Sequence, residues 1–245
     1  MRQSIVAAAA ALAFASGSAL AADFPVKAPY YKAPGGYYGW SGPYFGVHAG
    51  WLRSDNSVTD INGLQDAAGT RFGYSDESFV AGVHIGNNWQ YGMFVLGGEA
   101  DISGTSARSS VVQDNTPGSG FTRDGLARTK LSWLGSVRGR VGITPTSQWL
   151  IYGTGGFGFG QVRNETLDFD SGVFHPSDSS SKSGVRTGWV AGGGIEVSLY
   201  HHWIGRVEYL HYDLGDTTTV TPNHSRFRFS NEIDVVRIGV SRKFW

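Results

Sequence analysis

The last eleven residues, Val235–Trp245 (VVRIGVSRKFW), alternate with period two. Val236, Ile238, Val240 and Phe244 fall on one face, and Arg237, Gly239, Ser241 and Lys243 on the other. That period belongs to a β-strand, whose successive side chains point to opposite faces. One detail decides which kind of β-structure it builds. The polar face carries a whole charge, Arg237, in mid-strand, while the opposite face is aliphatic and aromatic. A soluble barrel turns its apolar face inward. A strand with charge on one face and only apolar groups on the other fits lipid outside and a polar lumen inside.

Seven upstream segments share the pattern, at about 44–53, 78–90, 93–103, 129–143, 149–161, 186–198 and 203–213, with the last strand at about 234–244. In the fourth, Leu131, Trp133, Val137 and Val141 oppose Ser132, Ser136, Arg138 and Arg140. Gly dominates the fifth, and the phase that suits it puts Ile151, Phe157 and Phe159 outward, with Tyr152 and Thr154 inward. The connections alternate strictly. Gln90–Gly92, Thr144–Gln148 (with Pro145 as turn former) and Leu199–His202 are short; 54–77, 104–128, 162–185 and 214–233 are long. Tight periplasmic turns and long outer loops are the asymmetry of outer-membrane barrels. The expectation is therefore an all-β fold: an eight-stranded antiparallel transmembrane barrel with four long extracellular loops and both chain ends on the periplasmic side. A soluble sandwich with one solvated face per sheet is the competing architecture, and the loop alternation argues against it.

The inward face gathers Glu99, Asp101, Arg138, Arg140, Glu196, Arg206, Glu208 and Arg237. Eight strands enclose a space that side chains just fill. Four acids and four bases in such a lumen must pair, because an unpaired buried ion carries a desolvation penalty of several kcal/mol. Inward Gly fits the same picture, leaving room for Arg and Glu.

Composition bounds the rest. Only 16% of residues are charged, 36 are Gly, 13% are aromatic with 8 Trp, and Cys is absent. Zero Cys excludes thiolate metal sites and thiol catalysis. Arg2, the apolar run Ile5–Ala15 and Ala19-Leu20-Ala21 read as a secretory signal cleaved after Ala21. The expected domains are 1–21 signal peptide, 22–42 an extended periplasmic arm rich in Pro, Lys, Tyr and Gly, and 43–245 the barrel. Without Arg2 the chain has 20 − 1 = 19 basic residues against 20 acidic. That balance gives nucleic acid no electrostatic purchase.

Several fragments add a resemblance. They are DFPVKAP after the signal, WSGPYFGVHAGW, WLGSVRGRVG, YGTGGFGFG, TGWVAGGGIEVSL, RVEYLHYDLG and the C-terminal strand. In this order the chain resembles the small alphaproteobacterial outer-membrane proteins with an OmpA-like eight-stranded barrel, described as porin-like, immunogenic or hemin-binding. The resemblance implies location in the cell outer membrane. It also implies a C-terminal signal for the barrel-assembly machinery, carried by Val236, Ile238, Val240, Phe244 and Trp245. Arg242 stands where the family has an aromatic, and Trp245 adds one residue, so Phe244 and Trp245 compete as the terminal aromatic.

Other motifs have plainer readings. Gly153-Thr-Gly155-Gly-Phe-Gly158 satisfies G-x-G-x-x-G, but dinucleotide binding needs a helix to follow, and strand pattern follows instead. His201-His202 falls at a turn, and His48 and His84 on the lumen face. Asp168, Asp170 and Asp178 form an acidic loop without EF-hand spacing. Arg226 and Arg228 flank Phe227 in the fourth loop, where Arg forks would suit lipopolysaccharide phosphates. Ser179–Ser181, His175 and Asp178 share one loop without the context of a catalytic triad. No enzyme, metal or resident cofactor is expected. The function expected is structural and surface-interacting, with outer-membrane lipid, lipopolysaccharide and the assembly machinery as partners. The alternatives are capture of hemin or a host ligand through the loops, and a narrow porin-like channel.

Overall fold

The computed structural model describes residues 39–62, 68–113, 123–170, 173–174, 176, 179–222 and 224–244. By its contacts the chain divides into Met1–Gly36 and Tyr37–Trp245, and the strands of the described residues lie in the second unit. The signal segment with Ala19 and Ala21, most of the arm, and His175, Asp178 and Trp245 lie outside the described residues.

The strands are β1 (Gly42–Asp60), β2 (Arg71–Tyr91), β3 (Phe94–Thr105), β4 (Arg108–Gln113), β5 (Arg123–Thr146), β6 (Trp149–Asp170), β7 (Val173–Phe174), β8 (Ser180–Ser198), β9 (Trp203–Val220) and β10 (Arg226–Lys243). β3 and β4 are two pieces of one barrel strand, both paired to β5, and β7 is a two-residue extension on β6. Every pairing is antiparallel. The order β5-β3-β2-β1-β10-β9-β8-β6, together with the β5–β6 pairing, closes a ring of eight. The first and last strands meet along their length, from Tyr44 opposite Lys243 to Asp60 opposite Phe227. A closed ring leaves no edge for lipid to satisfy. Among the described residues no helix is long and apolar enough to cross a membrane.

Two belts of exposed aromatics mark the lipid boundaries. Phe45, Trp89, Phe94, Trp149 and Trp203 ring the short-turn end, and Trp51, Phe79, Trp189 and Tyr209 ring the other. Between them lie Val47, Val83, Ile85, Leu96, Val137, Val141, Ile195, Val207, Ile238 and Val240, all exposed to the outside. Phe79 and Trp89 are ten residues apart on β2. At about 3.3 Å per residue and a tilt of about 40°, that is roughly the 25 Å apolar band of an outer-membrane barrel. The outer belt is tied to carboxylates above it. Trp51 Nε1 donates to Glu77 at 3.2 Å, Trp189 Nε1 to Asp213 at 3.2 Å and the Tyr209 hydroxyl to Asp234 at 2.6 Å.

The boundaries differ from the sequence reading at the outer end. The strands run on through much of 54–77, 104–128, 162–185 and 214–233. Above the outer belt the outward face meets water, so both faces carry polar residues and the period-two signal fades. Arg226 and Arg228 accordingly belong to β10 and not to a loop: they point outward, while Phe227 between them is fully buried in the lumen. Pro145 sits at the end of β5, and the turn itself is Ser147–Gln148. The Gly153–Gly158 run is mid-strand in β6. Gly39–Ser41 do not belong to a free arm, because Trp40 is 3% exposed and packs with Val95, Leu150, Tyr152 and Ile204 inside the short-turn mouth.

One phase also changes. Leu131 pairs with Val162 and Leu134 with Gly160, so two residues of β5, Ser132 and Trp133, oppose one of β6, Gln161. This bulge turns both leucines inward, at 2% exposure each, although alternation placed Leu131 outside. Tyr152 faces in and Phe157 out, at 6% and 77% exposure.

Outward position has an energetic consequence at Val141, which is 56% exposed at the apolar band. Val141→Arg should destabilise the barrel by about 2–4 kcal/mol if it lies near the bilayer midplane. Urea unfolding from lipid vesicles measures this, and an unchanged transition would place Val141 outside the apolar band.

Candidate functional site

The eight mid-strand charges come from five barrel strands: Glu99 and Asp101 from β3, Arg138 and Arg140 from β5, Glu196 from β8, Arg206 and Glu208 from β9, and Arg237 from β10. Alternation aims each inward, and the ring's width brings them together. Arg138 is the hub, its Nη2 at 2.7 Å from Glu99 and 3.1 Å from Asp101 and its Nη1 at 3.0 Å from Glu208. Arg140 bonds Glu196 at 2.8 Å and lies 3.5 Å from Glu99. Arg206 spans the same two acids at 2.8 and 2.9 Å. Arg237 bonds Glu208 at 2.6 Å and Asp101 at 3.2 Å. All eight side chains are 1–2% exposed and form one connected set, four bases with four acids.

Neutral groups complete it. The Tyr44 hydroxyl donates to Glu99 at 2.7 Å and accepts from Arg140 at 2.7 Å. Tyr152 donates to Glu208 at 2.8 Å, and the Arg140 guanidinium lies 3.8 Å from the Tyr152 ring centre, a desolvated cation–π contact. Ser136 donates to Asp101. These tyrosines and serines have the polar inward phase, but nothing in the sequence distinguishes them from ordinary lumen filling.

The histidines form an adjoining wire. His48 and His84 approach Nδ1 to Nδ1 at 3.1 Å, with stacked rings. Arg237 donates to His48 Nε2 at 3.2 Å, which makes that nitrogen an acceptor. The proton of His48 is then on Nδ1 and is donated to His84, whose Nε2–H donates to Ser241 at 2.7 Å. Ser103 also donates to His48 Nε2, at 2.7 Å. Both rings are thus committed inside the lumen. His202 ends the short 3-10 turn Tyr200–His202 in a left-handed conformation with φ 67°. Among the described residues no cluster of three metal-ligating side chains occurs.

Inward glycines leave the space these groups need. A Cβ at Gly86 would overlap the Tyr44 hydroxyl, one at Gly46 the His84 ring, and one at Gly50 the Arg237 backbone. Apolar layers then cover the network on both sides. Trp40, Val95, Leu150 and Ile204 lie toward the short-turn end. Leu52, Val80, Leu131, Leu134, Val190, Leu210, Ile233 and Val235 lie on the other side. Further out, Val58, Phe227 and Phe229 make a third layer. The inward face is therefore charged chiefly at mid-height.

Glu208 touches Arg138, Arg237 and Tyr152, so Glu208→Ala should leave two guanidiniums short of a carboxylate. A loss of about 3–5 kcal/mol is expected for breaking a dry buried pair from one side. Unfolding in urea from vesicles reads it, and a loss under about 1 kcal/mol would mean that the acid is not needed there.

Known proteins agree with this architecture. The family model described as "Outer membrane protein beta-barrel domain" matches residues 7–244. The 31 kDa outer-membrane immunogenic protein of Brucella melitensis biotype 1 is 33% identical over 250 residues, covering 99% of this chain and 100% of that one. The 25 kDa outer-membrane immunogenic protein of Brucella abortus biovar 1 is 29% identical over 258 residues, with 99% and 98% covered. These relatives are named as outer-membrane antigens, not as enzymes. Among solved structures, the outer membrane protein OprG from Pseudomonas aeruginosa shares the fold at 19% identity, with a TM-score of 0.52 over 85% of this chain and 99% of that one. With a closed eight-stranded ring, two aromatic belts and a family match over nearly its whole length, the chain belongs to the outer-membrane β-barrel protein family and resides in the outer membrane.

Proposed function

We propose that this barrel is a closed structural anchor of the outer membrane that works through its outward-facing end and does not pass solutes through its lumen. The observation that carries this reading is the filled cross-section at mid-height: eight charged side chains at 1–2% exposure, linked across the ring. Apolar layers on either side support it, since an ion entering the lumen would cross hydrocarbon before reaching the charges. The immunogenic names of the Brucella relatives fit a chain whose outer end is displayed at the cell surface. Capture of hemin or a host molecule would have to use that end. His48 and His84 are already hydrogen-bonded within the lumen, whereas His224 is exposed at the β9–β10 connection.

Planar-bilayer recordings test the reading. The wild-type chain should give no stable single-channel steps. Large, stable conductance in the wild type would overturn the closed-anchor reading in favour of a porin.

A further inference from the structure

We propose that copies of this barrel associate side by side in the membrane, the basic flank of one against the acidic flank of the next. Two rows of outward-facing charge carry the inference. Arg108 of β4 lies directly opposite Lys130 of β5, and Lys130 directly opposite Arg163 of β6. Asp55 of β1 lies directly opposite Glu232 of β10, and Glu232 directly opposite Asp213 of β9. Each row crosses two strand spacings, about 10 Å. Like charges that face each other across a ladder destabilise it. Elsewhere among the described residues, charged side chains in direct register differ in sign. Arg53 faces Glu77 and Asp234, Arg128 faces Glu165, and Glu99 faces Arg138. Both rows stand just above the outer aromatic belt. Arg163 is two residues beyond Gln161, which accepts from Trp133 Nε1 at 3.1 Å, and Asp213 accepts from Trp189 Nε1 at 3.2 Å. Neither row is neutralised by its own barrel. Among the described residues, Lys130 and the Arg108 guanidinium have no acid partner, and Arg163 shares Glu165 with Arg128. Glu232 is exposed without an ion pair there, and Asp55 shares Arg53 with Glu77. Arg226 and Arg228 sit four or more residues beyond Glu232 on β10.

The two rows lie on opposite sides of the ring. Around it, β10 is four strands from β5 by either route, with β3 and β4 as one barrel strand. The bilayer holds every copy with the same end outward, so a neighbour reached by sliding in the membrane plane keeps its rows at the same height. That neighbour presents three carboxylates to three bases. A two-fold axis along the membrane normal would instead set base on base or acid on acid, because an isologous contact uses one patch twice. The contact is therefore heterologous, and with its two halves on opposite sides of the ring it builds an open row. The apolar faces below the charges agree in shape. Outward Gly98, Gly139 and Gly155 face one another across β3, β5 and β6. A Cβ on any of them would meet nothing nearer than 3.6 Å, so crowding does not require glycine there. Gly139 and Gly155 lie nine and eight residues below Lys130 and Arg163. On the other flank Val236, Ile238 and Val240 stand exposed four, six and eight residues below Glu232. A shallow groove thus meets an aliphatic ridge at the same depth. A lipid phosphate would answer the base row alone and be repelled by the acid row, whereas a second copy of this chain answers both.

Energy transfer between labelled copies in phosphatidylcholine vesicles tests it. The chain has no Cys, so Ser147→Cys in the β5–β6 turn carries a donor or acceptor dye far from both rows. Copies with that change alone should transfer energy above the level of random mixing at the same surface density. Transfer should fall as salt rises, because exposed charges are screened. Lys130→Glu with Arg163→Glu turns the basic flank acidic, and Asp55→Lys with Glu232→Lys turns the acidic flank basic. Either pair of changes should lower the association constant about tenfold, as expected for losing and reversing exposed ion pairs. Mixing the two variants in equal amounts should restore association, since one then supplies the acids and the other the bases. Folding of each is checked by its heat-modifiable gel shift. Transfer at the random level in copies with Ser147→Cys alone would overturn the proposal. So would reversed variants that associate as their parent does, or a mixture that associates no better than its components. Transfer that appears only after a lipid bearing phosphate monoesters is added would assign the base row to lipid phosphate, and would overturn it too. None of these readouts involves lumen conductance, so the closed-anchor reading stands or falls separately.

Discussion

The rest of the structure depends on one constraint: an eight-stranded ring has a lumen that must be filled, and here it is filled with charge. Bringing eight ionised groups to 1–2% exposure is tolerable only when each finds its counter-charge in good geometry. The network meets that condition by equality, four guanidiniums against four carboxylates, and by sharing. Arg138 bridges three acids, and Glu99 lies within 3.6 Å of four bases. Tyrosine and serine hydroxyls take up further positions. The apolar layers above and below exclude water, which strengthens every attraction inside and raises the cost of breaking one. Glycine at Gly46, Gly50 and Gly86 follows from the same crowding.

Outside the ring a different solvent sets the rules at each height. Between the aromatic belts the outward residues are aliphatic, and the backbone is satisfied wholly within the ladder. Above the outer belt, water and sugar replace hydrocarbon. There the strands tolerate charge on their outer face, bulges at Leu131–Leu134 and Leu214–Gly215, and the unpaired stretch of β8 and β9. A further register shift, between Ile143 and Thr146, adjoins the short β5–β6 turn at the other end of the ring, where an unpaired backbone group again has somewhere to bond.

That division explains what was legible in the sequence. Inside the membrane, lipid on one side and a polar lumen on the other make the two faces chemically opposite. Val236, Ile238 and Val240 against Arg237 could therefore be read directly, and the charges that meet in the lumen could be named from their mid-strand positions. Beyond the outer belt both faces turn polar, so Arg53, Asp55 and Asn56 of β1 resemble the end of a strand and a loop. The inward apolar layers were hidden for the reverse reason: Leu52, Val80, Val190 and Leu210 sit next to outward apolar residues, and a run of apolar residues has no phase. A bulge concealed Leu131, because one inserted residue reverses every assignment beyond it. Trp40 carried no periodic signal at all, since a single residue lodged in a barrel mouth has no neighbours in phase.

The central claim is that the lumen charges act as a mutually compensating set, which is a statement about coupling between residues. A double-mutant cycle on Glu208 and Arg237, bonded at 2.6 Å, measures that coupling directly. Stabilities of Glu208→Gln, Arg237→Met and the double variant would be obtained by urea unfolding from the same vesicles. The account predicts that the double variant loses clearly less than the sum of the single losses, because removing both partners leaves neither charge uncompensated. Losses that simply add, within about 0.5 kcal/mol, would contradict it.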